Sequence, residues 1–311
     1  MQDVLSIVAP VFGLIALGFL LARTNILSEA TGDGLTEFVF FVAAPALLFR
    51  MLATMKPPEV APIGLWASYF GAIAVAWIAA ALLTKYVLKR PPRDGAAIAM
   101  GAGFGNVVML GIPLALNRFG DDAATPMALL LSINAPLLWF AGTLHIESAG
   151  QKSGRAISDL FRELGLQLIQ NPIVIAVLAG GAWWVTGFAL PSLADKMISM
   201  VGQATVPVAL IALGVSLKSF ELKGQVGTVM VITALSLVAM PLVAWLLAVK
   251  LFALPPVWAG VAVLFAACPT GANAFVFASR YDAAKNSVSA AVALATALSA
   301  ITVALVLAGL N

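Results

Sequence analysis

The stretch Gly101-Ala-Gly-Phe-Gly-Asn-Val-Val-Met-Leu-Gly-Ile-Pro113 lies inside a long apolar segment that runs from about Gly95 to Leu116. Glycines at alternate positions, an asparagine, a further glycine and a proline are not typical of a uniform helix. Glycine weakens a helix interior, and proline removes a backbone donor. In a bilayer, the backbone groups freed at such a break must find partners or line a wet cavity. The stretch therefore predicts a helix that breaks at membrane depth.

A second stretch of the same character, Cys268-Pro-Thr-Gly-Ala-Asn273, interrupts an apolar segment in the second half of the chain. Two interrupted hydrophobic segments, one in each half, are typical of the binding site of a secondary transporter. Half-helices that begin at a break present N–H donors and partial positive charge, which suit a carboxylate or another anion. No acidic or basic residue lies between Ala96 and Asn117 or between Val257 and Ser279, which favours an organic anion over a cation.

The candidate binding residues are those at and beside the two breaks, where two asparagines add neutral amide donors and acceptors. They are Gly105, Asn106, Val107, Gly111, Pro113, Pro269, Thr270, Gly271 and Asn273. Glu37, about one turn inside the second predicted span, is a candidate for a coupling proton. Its alternative is a position at the cytoplasmic interface. For either break alone, close helix packing through glycine is the structural alternative.

Composition indicates a polytopic helical membrane protein. Of the 311 residues, 62% are hydrophobic and 10% are charged, whereas soluble domains carry roughly 25% charged residues. Ten apolar runs reach the length of a membrane span. They are roughly 4–22, 33–54, 62–85, 95–117, 123–145, 165–186, 193–217, 225–250, 256–279 and 284–309. The single cysteine excludes an internal disulfide, and the sequence predicts no cofactor, no metal site and no nucleic-acid partner.

The basic residues predict the orientation. Twelve Lys and Arg fall in loops on one side and five on the other, so the first set is expected in the cytoplasm and both termini in the periplasm. The longest connection contains residues 151–164, which are predicted to form a cytoplasmic amphipathic connector. It would join two halves, residues 1–150 and 165–311.

The two halves match at an offset of 162 residues, which predicts an internal repeat. The matched pairs are Pro10 with Pro172, Gly18 with Gly180, Asp33 with Asp195, Pro45 with Pro207, Lys56 with Lys218, Glu59 with Glu221 and Arg118 with Arg280. Five spans per half is an odd number, so the second half must insert upside down as an inverted repeat. Gly111 matches Asn273 at this offset, which makes the broken helices the fourth and the ninth spans.

Other classes of function are weaker readings of the same residues. The sequence Gly214-Val-Ser216-Leu is the feature that points to an intramembrane hydrolase. The one histidine, His145, lies at a span end without a second catalytic group, so no enzyme is predicted. A non-transporting sensor and a sodium- or proton-coupled dicarboxylate symporter are the remaining alternatives.

Two segments, Asn106-Val-Val-Met-Leu-Gly-Ile-Pro-Leu114 and Pro269-Thr-Gly-Ala-Asn-Ala-Phe-Val-Phe-Ala-Ser-Arg-Tyr281, resemble the auxin efflux carrier family. That family includes plant auxin exporters and bacterial homologues, some described as malonate transporters. The segments 41–49 and 213–217 are similar to its second and seventh helices. The resemblance implies a ten-helix fold shared with bile-acid sodium symporters, usually in a homodimer. It also implies that crossing helices four and nine belong to a mobile transport domain, which slides against a scaffold of helices one, two, six and seven.

The chain departs from the family pattern in three ways. Gly105 stands where plant members have a proline, the third span lacks the charged residues of the plant substrate site, and helix nine lacks the glutamate of sodium-coupled relatives. These departures argue against auxin itself and against sodium. The sequence predicts a bacterial inner-membrane carrier of a small organic anion, such as an auxin-like aromatic acid or a malonate-like dicarboxylate, by elevator-type alternating access.

Overall fold

The computed structural model describes residues 2–55, 60–149, 157–221 and 223–310. Within these ranges the backbone is helical, apart from turns, loops and an isolated antiparallel bridge. The α-helices are α1 (Gln2–Arg23), α2 (Glu29–Phe38), α3 (Ala44–Ala53), α4 (Ile63–Tyr86), α5 (Pro92–Gly103), α6 (Ile112–Phe119), α7 (Ala124–Ser148), α8 (Ile157–Gln170), α9 (Pro172–Thr186), α10 (Ser192–Gln203), α11 (Thr205–Ser216), α12 (Val226–Ala234), α13 (Met240–Trp245), α14 (Pro256–Ala266), α15 (Ala272–Arg280) and α16 (Lys285–Gly309). The predicted all-α class is confirmed.

Several of these segments are long and apolar enough to cross a bilayer. In the described ranges seven segments qualify: Val4–Arg23, Glu29–Ala53, Ile63–Tyr86, Val107–Ser148, Ser192–Ser219, Val226–Leu251 and Lys285–Gly309. An eighth arises if Leu164–Gln170 and Pro172–Thr186, which are bent by 65°, count as one span. The chain is therefore a multi-pass helical membrane protein.

The sixth predicted span, 165–186, is not one straight helix. Residues 165–170 continue α8, and the chain bends at Asn171, whose side chain accepts a hydrogen bond from the Ile173 N–H at 2.9 Å. A residue before proline is disfavoured in the helical region, so Pro172 ends the first helix and begins the second. Of the predicted connector, residues 151–156 lie outside the described residues, and residues 157–164 are the first part of α8.

Prolines explain where the spans change their winding. A proline ring clashes with the carbonyl four residues before it, which loosens the preceding turn. In each of three spans a π-helical segment comes shortly before a proline: Val39–Ala43 before Pro45, Val107–Gly111 before Pro113, and Leu235–Ala239 before Pro241. In the seventh predicted span, α10 ends four residues before Pro207.

Contacts divide the chain into two compact units. The first unit comprises Met1–Pro62, Val108–Ile133 and Gln167–Ser219, and the second comprises Ile63–Val107, Asn134–Leu166 and Phe220–Asn311. The first unit thus includes the predicted spans one, two and seven and most of six. The halves inferred from the repeat, 1–150 and 165–311, are a different division of the chain and stay a prediction.

Glycines bring two helix pairs of the first unit into close contact. A Cβ added at Gly18 of α1 would fall on the backbone carbonyl of Ile211 in α11. A Cβ added at Gly180 of α9 would lie 2.6 Å from the backbone carbonyl oxygen of Phe49 in α3. The offset that matches Gly18 with Gly180 also matches Phe49 with Ile211. The α1–α11 and α3–α9 contacts therefore use matched residues of the two halves.

In the second unit, α5 and α14 are its most enclosed helices. Residues 95–103 of α5 and 258–266 of α14 are all buried. A helix that is apolar on all sides is expected where protein surrounds it. Both helices run towards the two predicted breaks.

Candidate functional site

Both predicted breaks are present, and the broken segments lie side by side in the second unit. Helix α5 ends at Gly103, and helical winding resumes at Val107. Helix α14 ends at Ala266, and α15 begins at Ala272. We call the two non-helical segments, residues 104–106 and 267–271, the crossing.

Backbone hydrogen bonds join the two segments of the crossing. The Asn106 N–H donates to the Pro269 carbonyl at 2.8 Å, and the Gly271 N–H donates to the Phe104 carbonyl at 2.8 Å. These bonds flank the antiparallel bridge between Gly105 and Thr270. Each break thus supplies partners for backbone groups that the other leaves without helical bonds, which is what a non-helical backbone at bilayer depth requires.

Glycine is needed at the crossing because the two chains approach so closely. A Cβ at Gly105 would lie 3.1 Å from the Cys268 carbonyl oxygen and 3.2 Å from the Cys268 Cβ. A Cβ at Gly271 would lie 3.2 Å from the Phe104 carbonyl oxygen and 3.3 Å from the Asn106 Cα. All four distances are tighter than ordinary van der Waals contact. A larger residue at Gly105 or Gly271 would therefore push the two segments apart.

Thr270 completes the end of α5. The last carbonyls of a helix have no helical partner, and the Thr270 hydroxyl donates to the Gly101 carbonyl at 2.9 Å. The side chain is fully buried. This predicted site residue therefore holds the first broken helix against the second.

The two asparagines occupy different positions relative to their half-helices. Asn106 is half-buried and directly precedes the helical winding at Val107, whereas Asn273 is exposed in the first turn of α15. The two hydrogen bonds of the crossing exchange under a shift of 165 residues, which relates Gly105 to Thr270 and Asn106 to Gly271. The bridged residues are thus 165 positions apart, whereas the sequence match of Gly111 with Asn273 has an offset of 162 and stays a prediction.

The other predicted site residues lie within the crossing, directly beside it, or in the first unit. Val107 is buried directly after Asn106, and Pro269 is buried within the crossing. Gly111 and Pro113 are buried at the start of the segment that belongs to the first unit. Glu37 is exposed near the end of α2, also in the first unit.

Sequence reasoning missed a buried polar pair beside the crossing. The Tyr69 hydroxyl of α4 donates to the Asn134 side-chain oxygen of α7 at 3.2 Å, and both residues are buried. The Tyr69 ring lies edge-on to Phe265 in the last turn of α14, with centroids 6.4 Å apart. A lone asparagine within the apolar fifth span was the signal that could have revealed this pair.

Ser216 and His145, the residues weighed for a hydrolase, have their hydrogen bonds in separate places. The Ser216 hydroxyl donates to the Leu213 carbonyl at 2.8 Å within its own helix. The His145 Nδ1 accepts a hydrogen bond from the Trp77 indole at 3.1 Å. Neither contact resembles a nucleophile held by a base.

Comparisons with known proteins show which family the chain resembles. Residues 3–307 match the family model described as "Membrane transport protein". The chain is 28% identical over 305 residues to a "Putative malonate transporter" of Rhizobium meliloti, which covers 97% of this chain and 94% of that protein. It is 23% identical over 330 residues to auxin efflux carrier component 8 of Arabidopsis thaliana, covering 90% and 89%. An uncharacterized transporter of Methanocaldococcus jannaschii is 25% identical over 232 residues, covering 70% of each chain.

The family model and the relatives show that this multi-pass helical protein is a membrane transporter rather than an enzyme. The chain belongs to the membrane transport protein family of auxin efflux carriers. The resemblance seen at residues 106–114 and 269–281 is thereby confirmed.

Proposed function

We propose that this protein carries a small organic anion, a carboxylate of the malonate type or an auxin-like aromatic acid, across the bacterial inner membrane. The observation that carries the proposal is the uncharged crossing with Asn106 at its edge. Helical winding begins at Val107 and at Ala272, so the positive ends of two half-helices start at the crossing. Such a site binds a carboxylate through N–H donors and amide groups without a fixed countercharge, and so releases it readily. The name of the Rhizobium meliloti relative supports malonate as the first anion to test.

The proposed architecture has ten membrane crossings in two inverted repeats, residues 1–150 and 165–311. Val107–Ser148 spans 42 residues, about 63 Å as a helix, and a bilayer core is about 30 Å thick. It is therefore counted as the second half of span four followed by span five. The bent pair around Asn171 provides span six, and α14 with α15 provides the broken span nine. The matched glycine contacts of Gly18 and Gly180 support the repeat.

The proposed mechanism is elevator-type alternating access. Inverted repeats can exchange conformations, which gives inward-open and outward-open states around one site. Crossing helices four and nine would move as part of a transport domain, and helices one, two, six and seven would form the scaffold in a homodimer. Both termini would lie in the periplasm, as the distribution of Lys and Arg favours.

Two substitutions of Asn106 test the binding role. Asn106→Ala removes one donor, worth roughly 0.5–1.5 kcal/mol if the bond is neutral and about 1.5–3 kcal/mol if the partner is charged. That corresponds to a loss of malonate affinity between about two-fold and about a hundred-fold. Asn106→Asp keeps the shape but places negative charge against the anion, so it should bind more weakly than Asn106→Ala. Asn273→Ala should act in the same direction with a smaller effect.

Asn171 provides the matched control, because its side chain caps α9. At a cap, Asp replaces Asn well, whereas Ala costs roughly 0.5–2 kcal/mol of stability. Asn171→Asp should therefore keep the parent's thermal stability, and Asn171→Ala should lose part of it. Malonate affinity is measured on purified protein that is monodisperse in detergent. Parent-like binding by Asn106→Asp would show that Asn106 is a cap and would overturn the site.

A further inference from the structure

One face of α15 leads from the crossing to a basic residue. Asn273, Val276 and Arg280 are exposed, and they lie within about 60° of one another around the helix. Ala274 and Ala278, on the other side of the helix, are fully buried, and so is Phe277 at the border of the exposed face, with its ring 5.4 Å from that of Trp139. An asparagine and an arginine are costly against lipid. The exposed face of α15 therefore carries a polar side chain at each of its ends.

Arg280 lies at the end of this face, beside two aromatic rings. Its guanidinium lies 5.9 Å from the Trp139 ring centroid and 5.8 Å from the Tyr281 ring centroid. Stacking uses the flat face of a guanidinium and leaves the N–H groups at its edge available for a carboxylate. The Tyr281 carbonyl is fixed in turn by the Arg93 side chain at 2.9 Å. Asp282 and Lys285, which follow Arg280 closely in the chain, are also exposed.

We propose that Arg280 is the residue that captures anionic substrate at the cytoplasmic mouth of the α15 face and directs it to Asn273. This inference rests on the proposed function and assigns a residue outside the crossing to it. Seven residues separate Arg280 from Asn273, which is about 10 Å along the helix axis. At that distance a unit positive charge raises the local affinity for a monovalent anion about two-fold in bulk water. The gain is about fifteen-fold at an effective dielectric constant of about 20.

The chain offers a matched residue on the other side of the membrane. Arg118 is in the last turn of α6, as Arg280 is in the last turn of α15, and its guanidinium lies 5.3 Å from the ring of the following residue, Phe119. The repeat offset of 162 also pairs Arg118 with Arg280. Arg118→Gln therefore removes a similar charge from the proposed periplasmic side.

The test measures malonate uptake by inside-out and right-side-out vesicles that contain the full chain. Malonate carries two negative charges near neutral pH, so the gain for a monovalent anion is squared, to about four-fold or more. At low ionic strength, about 0.01 M, Arg280→Gln should raise the KM from the cytoplasmic face by at least that factor and leave the KM from the opposite face nearly unchanged. The difference should shrink at about 0.5 M salt, because the Debye length then falls to a few Å. Arg280→Lys should restore the low KM, and Arg118→Gln should leave the cytoplasmic KM unchanged.

Each other result overturns the proposal. An unchanged KM in Arg280→Gln, an equal rise from both faces, a rise that salt does not reduce, or failure of Arg280→Lys to restore the KM would show that Arg280 has a purely structural role. If the parent chain takes up no malonate from either face, the proposed substrate fails and this inference fails with it. If the parent takes up malonate but any of the first four results is obtained, only the role of Arg280 is rejected and the proposed function is retained.

Discussion

Adjacent glycines on α9 give a test of the packing in the first unit. Gly180 faces α3, where an added Cβ would lie 2.6 Å from the Phe49 carbonyl oxygen and 3.0 Å from the Leu52 Cβ. Gly181 is its neighbour on the same helix, and an added Cβ there would meet nothing within 4 Å. We therefore expect Gly180→Ala and Gly181→Ala to have opposite effects on stability.

The magnitude follows from what each substitution changes. Both replace glycine by alanine within one helix, which by itself is favourable by roughly 0.5–1 kcal/mol. At Gly180 the backbones of α9 and α3 must also separate by several tenths of an ångström, because a carbonyl cannot rotate away as a side chain can. Overpacking of this kind costs roughly 1–3 kcal/mol. Gly180→Ala should thus be less stable than Gly181→Ala by about 1–3 kcal/mol.

The assay is thermal unfolding of the two purified variants in the same detergent, with the parent as reference. Gly181→Ala should unfold at or slightly above the parent's temperature, and Gly180→Ala several degrees below it. The same pattern is expected for Gly18→Ala and Gly13→Ala on α1. An added Cβ would meet the Ile211 backbone at Gly18 and nothing within 4 Å at Gly13. Equal unfolding temperatures for Gly180→Ala and Gly181→Ala would refute the close approach of α9 to α3.

Three further predictions concern the second unit, coupling and topology. Asn134→Leu should lower the unfolding temperature, because it leaves the buried Tyr69 hydroxyl without its partner at a cost of about 1–3 kcal/mol. Adding Tyr69→Phe should recover most of the loss, and no recovery would mean that the pair is not coupled. Malonate transport should continue when choline replaces sodium, should respond to membrane potential and should survive Glu37→Gln; strict sodium dependence would favour the symporter instead. In a Cys268→Ala background, cysteines near either terminus should react with an impermeant thiol reagent from the periplasm, whereas one near Lys152 should not, and the reverse pattern would invert the topology.

Local chemistry made the broken helices predictable. Glycine, proline and asparagine act on the backbone of their own turn, so the interruptions at 101–113 and 268–273 could be located from sequence alone. The class of the protein was equally accessible, because the length of an apolar run is set by bilayer thickness. The family could be recognised because its most specific residues are those of the two breaks.

The pairing of the two breaks belongs to the tertiary structure. Gly105 and Thr270 are separated by about half of the chain, and neither sequence pattern states which residue lies opposite which. An ungapped offset of 162 could be read from the sequence, but it does not give the bridged pair, whose members are 165 positions apart. The role of Thr270 as a partner for the Gly101 carbonyl was hidden for the same reason.

Tertiary structure also decided two further features, the buried pair of Tyr69 and Asn134 and the exposed face of α15. Helical periodicity tells which residues share a face, but burial depends on what packs against that face. Phe277 and Arg280 are three residues apart on one short helix, yet one is fully buried and the other is exposed. The sequence by itself determined the helices, their breaks and the membrane as their solvent. Only the tertiary structure decided which backbone groups satisfy one another and which face of α15 stays open, because both depend on contacts between segments distant in the chain.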